Sequence, residues 1–149
     1  MEGRVSNIEG FKAIGITYFG NNQHGEIPNL WEAFNKSYMS IPHKSKSMLC
    51  YGICADEPDS EGRFHYTACA EVDSLEAVPE GMNVKVVPKG NYLIYTYSGN
   101  LKDLGEFYNN IFAKWLPVSG CEMDYRPQFE LYDERFMNNG EFDIYIPIK

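Results

Sequence analysis

No two cysteines in this chain form a Cys-Xaa-Xaa-Cys pair, and no two histidines share HxxxH or HExxH spacing. Cys50, Cys54, Cys69 and Cys121 fit neither a zinc ribbon nor a redox motif, and His24, His43 and His65 are scattered. No structural metal and no cofactor are expected, and the cysteines read as free thiols of a cytoplasmic protein. Basic residues are scarce: 13 Lys and Arg stand against 21 Asp and Glu, for a net charge of −8. A surface of that sign repels phosphate backbones, which argues against direct nucleic-acid binding. The one basic cluster, Lys36, Lys44 and Lys46, lies in a Ser-rich stretch and reads as a solvated loop. Nor is there an apolar run long enough for a signal peptide or a membrane span.

What the chain has in quantity is aromatic residues, 15% of the total, with 11 Tyr and 9 Phe. Tyr pairs a flat apolar face with a polar tip and suits ligand clefts, although Tyr and Phe also favour strands in a β-rich core. At 149 residues the chain is long enough for one domain with its own core.

The pattern alternates between strand and helix signals. Residues 11–19 read as a strand stopped by Gly20-Asn21-Asn22. Pro28 suits the start of a helix, and Leu30, Trp31, Phe34 and Tyr38 recur at helical spacing. Residues 48–55 and 64–72 read as two strands joined by the acidic turn 56–62. That turn has the composition of a calcium loop, but Pro58 breaks the EF-hand order, and it reads as a hairpin loop. After a polar link, residues 83–87 and 91–97 form a second strand region. Asn100 can cap a helix along which Leu101, Leu104, Tyr108, Ile111 and Trp115 line one face, ending at Leu116-Pro117. Residues 129–133 and 142–148 are the closing strands.

The order strand, helix, strand, strand thus occurs twice, in modules of about 8–73 and about 82–149. Ile16-Thr17-Tyr18-Phe19-Gly20-Asn21 echoes Tyr95-Thr96-Tyr97-Ser98-Gly99-Asn100, and Gly52 stands in the first module where Glu130 stands in the second. Such a repeat implies two units related by an approximate twofold. Each has one helix, so one sheet face is covered and the other is left for a groove at the junction. The expected fold is α+β, an antiparallel sheet with two helices on one face and a cleft on the other.

The stretch Pro127-Gln128-Phe129-Glu130-Leu131-Tyr132-Asp133 carries the main candidate site. In a strand, Phe129 and Leu131 point to one face and Glu130 and Tyr132 to the other. A carboxylate placed between aromatics either faces water or lines a cleft, where it draws in a cation or holds a proton at an unusual pKa.

The residues Phe64-His65-Tyr66, Pro88-Lys89-Gly90-Asn91-Tyr92, Trp115-Leu116-Pro117, Phe129-Glu130-Leu131-Tyr132 and Asp143-Ile144-Tyr145-Ile146-Pro147-Ile148, in this order and spacing, make the chain resemble the GyrI-like effector-binding family. That family includes drug-binding domains of AraC- and MerR-type regulators and stand-alone bacterial proteins. The resemblance implies paired strand-helix-strand-strand modules and an aromatic pocket for lipophilic cations with an acid at its floor, matched here by Glu130. Tyr66 matches the tyrosine on the strand after the first hairpin. No helix-turn-helix segment precedes residue 11, so the chain is not expected to act by itself as a DNA-binding regulator.

Three functions follow as expectations. The first is binding of a small lipophilic molecule, cationic or planar aromatic, among Tyr66, Tyr97, Trp115 and Tyr132, with Glu130 as counter-charge to a cation, in an effector-binding or drug-sequestering protein. Core packing is the competing account of Trp115, and the parity of Tyr66 is ambiguous. The second is hydrolysis of electrophilic cyclopropane-type compounds by Glu130 and Tyr66, as some relatives of the family perform. The third is binding of a protein partner such as a gyrase subunit through the acidic loop 56–61. A homodimer stays open.

Overall fold

The computed structural model describes residues 2–149. The chain runs β1 (Arg4–Ile8), β2 (Phe11–Gly20), α1 (Glu26–Ser37), β3 (Cys50–Cys54), β4 (Phe64–Val72), β5 (Asn83–Val87), β6 (Gly90–Tyr97), α2 (Leu104–Asn110), α3 (Leu116–Val118), β7 (Gln128–Tyr132), α4 (Glu134–Asn139) and β8 (Phe142–Ile148). All eight strands form one sheet in the order β1-β6-β8-β7-β3-β4-β2-β5, antiparallel throughout.

This order maps onto itself when β1–β4 are exchanged for β5–β8 and the list is reversed. An approximate twofold therefore runs between β3 and β7, where Gly52 pairs with Glu130. The edge strands are traded: β1 pairs with β6 of the second half, and β5 pairs with β2 of the first.

Strand alternation sends each residue to one of two faces. On one face, Leu30 and Phe34 of α1 pack on Ile14, Tyr66, Ala68 and Ala70. On the same face, Ile111, Phe107 and Trp115 pack on Tyr95, Phe142 and Ile144. Each large side chain removed from water in these clusters is worth about 1.5–3 kcal/mol. The other face has no helix. Its rings close on one another instead, with Phe11 stacked on Tyr51 at 3.9 Å and Phe129 on Tyr145 at 4.6 Å. Phe11 and Phe129 lie three strand steps apart, yet their centroids are 5.2 Å apart. Steps of about 4.8 Å each require the sheet to curl toward this face for that contact. Part of the face is roofed by Arg126, whose guanidinium lies 4.8 Å from the Tyr92 ring centroid. A Cβ on Gly90 would fall 2.1 Å from Arg126 Nη1, so glycine there leaves the guanidinium its seat.

The local readings hold, and the structure adds to them. Asn100 caps the second helical region, its Oδ1 accepting from the Lys102 amide at 3.0 Å. That region is broken rather than continuous: a 3₁₀ turn at Leu101–Asp103, then α2, a π turn at Ile111–Trp115 and α3. β1 and α4 carry too little apolar periodicity to be read from sequence. Among the described residues, no helix is long and apolar enough to cross a membrane.

Candidate functional site

Glu130 sits at the centre of the sheet, opposite Gly52 on β3 and Ile144 on β8. Its side chain follows the expected alternation, away from Phe129, but the face it reaches corrects one expectation. The groove at the junction was placed on the helix-free face. The carboxylate instead lies on the helix-bearing face, on the side of Tyr66, Ala68 and Ile144, where α1 and α2 approach the seam from opposite halves. Glu130 is 7% exposed.

Three phenols hold it. Tyr66 donates to Oε1 at 2.7 Å, Tyr132 donates to Oε1 at 2.8 Å, and Tyr108 donates to Oε2 at 2.5 Å. Behind them, Trp31 Nε1 donates to the Tyr66 hydroxyl at 3.0 Å, and the Trp31 ring meets Tyr132 edge-on at 5.1 Å. The helices thus contribute one donor each, Trp31 from α1 and Tyr108 from α2. Sequence spacing matches them: Trp31-Phe34-Tyr38 and Tyr108-Ile111-Trp115 repeat the same intervals. Gly52 makes the arrangement possible, because a Cβ there would fall 1.9 Å from the Tyr66 hydroxyl and 2.8 Å from Glu130 Oε1.

A carboxylate offers about four acceptor positions, of which these hydroxyls fill three. Among the described residues no ion pair involves Glu130. Burial, and next the charge of Glu130, push the hydroxyls of Tyr66, Tyr108 and Tyr132 well above the usual phenol range. They therefore remain protonated and able to donate. Chemically, the site is a buried carboxylate stabilised by neutral donors, with rings around it and no resident cation.

Tyr66 and Tyr132 meet at Glu130. Tyr97 and Trp115 do not. The Tyr97 hydroxyl bonds the Asn100 carbonyl and its ring packs on Phe107 and Phe142. Trp115 packs on Tyr95 and Phe107. Tyr66 also serves the core stripe, so both readings of its parity apply. Trp31 and Tyr108 complete the site without having been singled out, though the matched helix intervals point to them, and Gly52, read from the repeat as the counterpart of Glu130, makes room for it.

Two hollows flank the seam. Beside Glu130, a space of about 10 Å³ is lined by Gly52, Cys54, Tyr108, Gln128 and Ile144. On the helix-free face a larger one, about 130 Å³, is lined by Phe11, Tyr51, Glu71, Phe129, Leu131 and Tyr145. All four cysteines are unpaired, Cys54 among them.

Residues 4–148 match the family model described as integron-associated effector binding protein. The chain belongs to this family. The effector-binding fold recurs across solved structures, in keeping with the GyrI-like motifs. An integron cassette protein of Vibrio cholerae superposes with a TM-score of 0.70 at 21% identity, over 99% of this chain and 96% of that one. SAV2435 bound to tetraphenylphosphonium has a TM-score of 0.76 at 16% identity, over 100% of this chain and 94% of that one. The C-terminal domain of EcmrR has a TM-score of 0.77 at 13% identity, covering 99% and 97%. In sequence, the transcriptional regulator BrlR of Pseudomonas aeruginosa is 36% identical over 152 aligned residues, covering 99% of this chain and 56% of that protein. A DNA gyrase inhibitor of Erwinia billingiae is 34% identical over 71 residues, 46% of each chain. The chain spans about half the length of the curated relatives it matches. Small-molecule binding is the activity this effector-binding family carries.

Proposed function

We propose that this protein binds lipophilic organic cations, with Glu130 as the counter-charge. The reading rests on one observation: a 7%-exposed carboxylate at the module seam is bonded by hydroxyls, and among the described residues no Lys, Arg or His side chain pairs with it. A buried charge satisfied only by neutral donors still carries a desolvation cost that a ligand cation offsets. The rings of Trp31, Tyr66, Tyr108 and Tyr132 supply flat, electron-rich surface, and a cation over such a ring gains about 0.5–2 kcal/mol. SAV2435, which shares the fold, holds a cation of this kind. The hollow beside Glu130 is about 10 Å³, barely room for one water. A drug-sized ligand therefore has to displace side chains, and Tyr108, which lines the hollow and holds Glu130 by one hydroxyl bond, is the candidate for displacement. The test is tetraphenylphosphonium titration followed by Trp fluorescence. Glu130→Gln keeps the shape and removes the charge; it should weaken the cation at least about tenfold and leave triphenylphosphine oxide, a neutral analogue, unchanged. Equal loss for both ligands would refute the counter-charge role.

The water-sized hollow supports a second reading, in which Glu130 positions a water and Tyr66 polarises an electrophile such as a strained ring. Incubation with an electrophilic cyclopropane should then give ring-opened product with the native protein and none with Glu130→Ala. Absence of product with the native protein ends that reading.

A further inference from the structure

The hollow on the helix-free face is built of different material from a packing flaw. It is a depression of about 130 Å³ open to solvent, room for a small organic group of about benzene's size. Two stacked pairs wall it, Phe11 on Tyr51 and Phe129 on Tyr145, and they meet edge-on, Phe129 to Phe11 at 83° and to Tyr51 at 79°. A carboxylate stands among them. Glu71 accepts from the Tyr51 hydroxyl at 3.0 Å and from the Ser47 hydroxyl at 3.2 Å, one at each oxygen. Its partners are hydroxyls rather than cations, and its remaining acceptor positions are unfilled. Glu9, on the same rim, is solvent-exposed and lies 3.7 Å from Lys89 Nζ, so the unpaired charge at the hollow is that of Glu71.

We propose that this hollow is a second binding site, for a compact quaternary or tertiary ammonium group of about six heavy atoms. Ring faces carry negative quadrupole density, and Glu71 adds a full negative charge, so both components of the lining favour a cation. A neutral group of the same shape gains the packing and forgoes the electrostatic part. The site is independent of the one at Glu130: it lies on the opposite face of the sheet and uses a different acid. The two are adjacent along the chain, since Tyr51 and Gly52 on β3, and Phe129 and Glu130 on β7, face opposite ways.

Choline and its uncharged carbon isostere, 3,3-dimethylbutan-1-ol, test this directly by titration against aromatic carbon–proton NMR spectra of the full chain. Choline should shift the Phe11 and Tyr145 ring signals saturably, and the isostere should bind about tenfold more weakly or worse. Glu71→Gln should cut the preference for choline several-fold, to the part the rings supply, without changing isostere binding, whereas Glu130→Gln should leave choline binding at these rings intact. Leu131→Trp, which fills the hollow without touching a charge, should remove both ligands while tetraphenylphosphonium binding persists. The proposal is overturned by an absence of saturable shifts at Phe11 and Tyr145, by an unchanged choline preference in Glu71→Gln, or by loss of choline binding in Glu130→Gln alone.

Discussion

Gly52 and Tyr66 are as much a part of the acidic site as Glu130. A methyl group on Gly52 would occupy the position of the Tyr66 hydroxyl, 1.9 Å away. Gly52→Ala should therefore destabilise the fold by about 1–3 kcal/mol through overpacking, read as a shift in the urea midpoint. Tyr66→Phe removes one of three donors to a buried carboxylate and should cost a similar amount. Because both changes act on the same contact, the double variant should be less destabilised than the sum; strict additivity would mean the steric account is wrong. The phenols also set an alkaline limit. Tyr66, Tyr108 and Tyr132 are raised above the ordinary phenol value of about 10 by burial and then by Glu130. The unfolded chain loses these protons first, so their contribution is complete below about pH 10 and declines as pH rises through the higher folded values. Denaturation midpoints should be flat up to that point and fall beyond it, more gently for Tyr108→Phe.

Among the elements, the second helical region is the one whose hydrogen-bond ladder is irregular. The π turn at Ile111–Trp115 follows directly on the segment carrying Tyr108. Irregular turns of this kind weaken the regular hydrogen-bond ladder of a helix. Tyr108 closes the seam by a single hydroxyl bond to Glu130. Tyr108→Phe removes that latch and keeps the ring, so association of tetraphenylphosphonium should accelerate several-fold, measured by stopped-flow fluorescence. An unchanged rate would mean ligands reach Glu130 by another route. The elements differ in how far the sequence announces them. Leu30, Trp31 and Phe34 announce α1 by spacing, and Asn100 announces the start of the second helical region. The π turn has no such signal, since Ile111 and Trp115 continue the same stripe whether the turn is α or π. β1 is a mostly exposed edge strand, RVSNI, and α4 is six residues long, so neither needs an apolar face. Trp115 misses the site for a geometric reason: it lies seven residues beyond Tyr108, about 10 Å along a helix.

At the scale of the whole molecule, each half depends on the other for an edge strand. β1 is bound to β6, and Arg4 from β1 pairs with the 3%-exposed Asp143 of β8 at 3.1 Å. Burial tends to raise the Asp143 carboxyl, but hydrogen bonds from Arg135 and Thr96 outweigh it and hold the group below the usual range. Its stabilisation is lost as pH falls through that lowered value. The chain should unfold as one cooperative unit, with far-ultraviolet and tyrosine near-ultraviolet signals sharing a midpoint, and residues 8–73 alone should not fold. The repeat was readable because Thr17-Tyr18 and Thr96-Tyr97 end equivalent strands. The face on which Glu130 lies was not, because alternation fixes only relative orientation. Which side the helices choose depends on contacts far apart in the chain.

A seam on a twofold brings equivalent positions face to face. Had both halves carried an acid there, two anions would confront each other across one strand spacing, and one would have to take up a proton or leave the sheet. The glycine at 52 spares the molecule that conflict. Duplication of the module therefore does not double its capacity: one chain offers one such anion, and titration at this seam should end at a single equivalent of ligand.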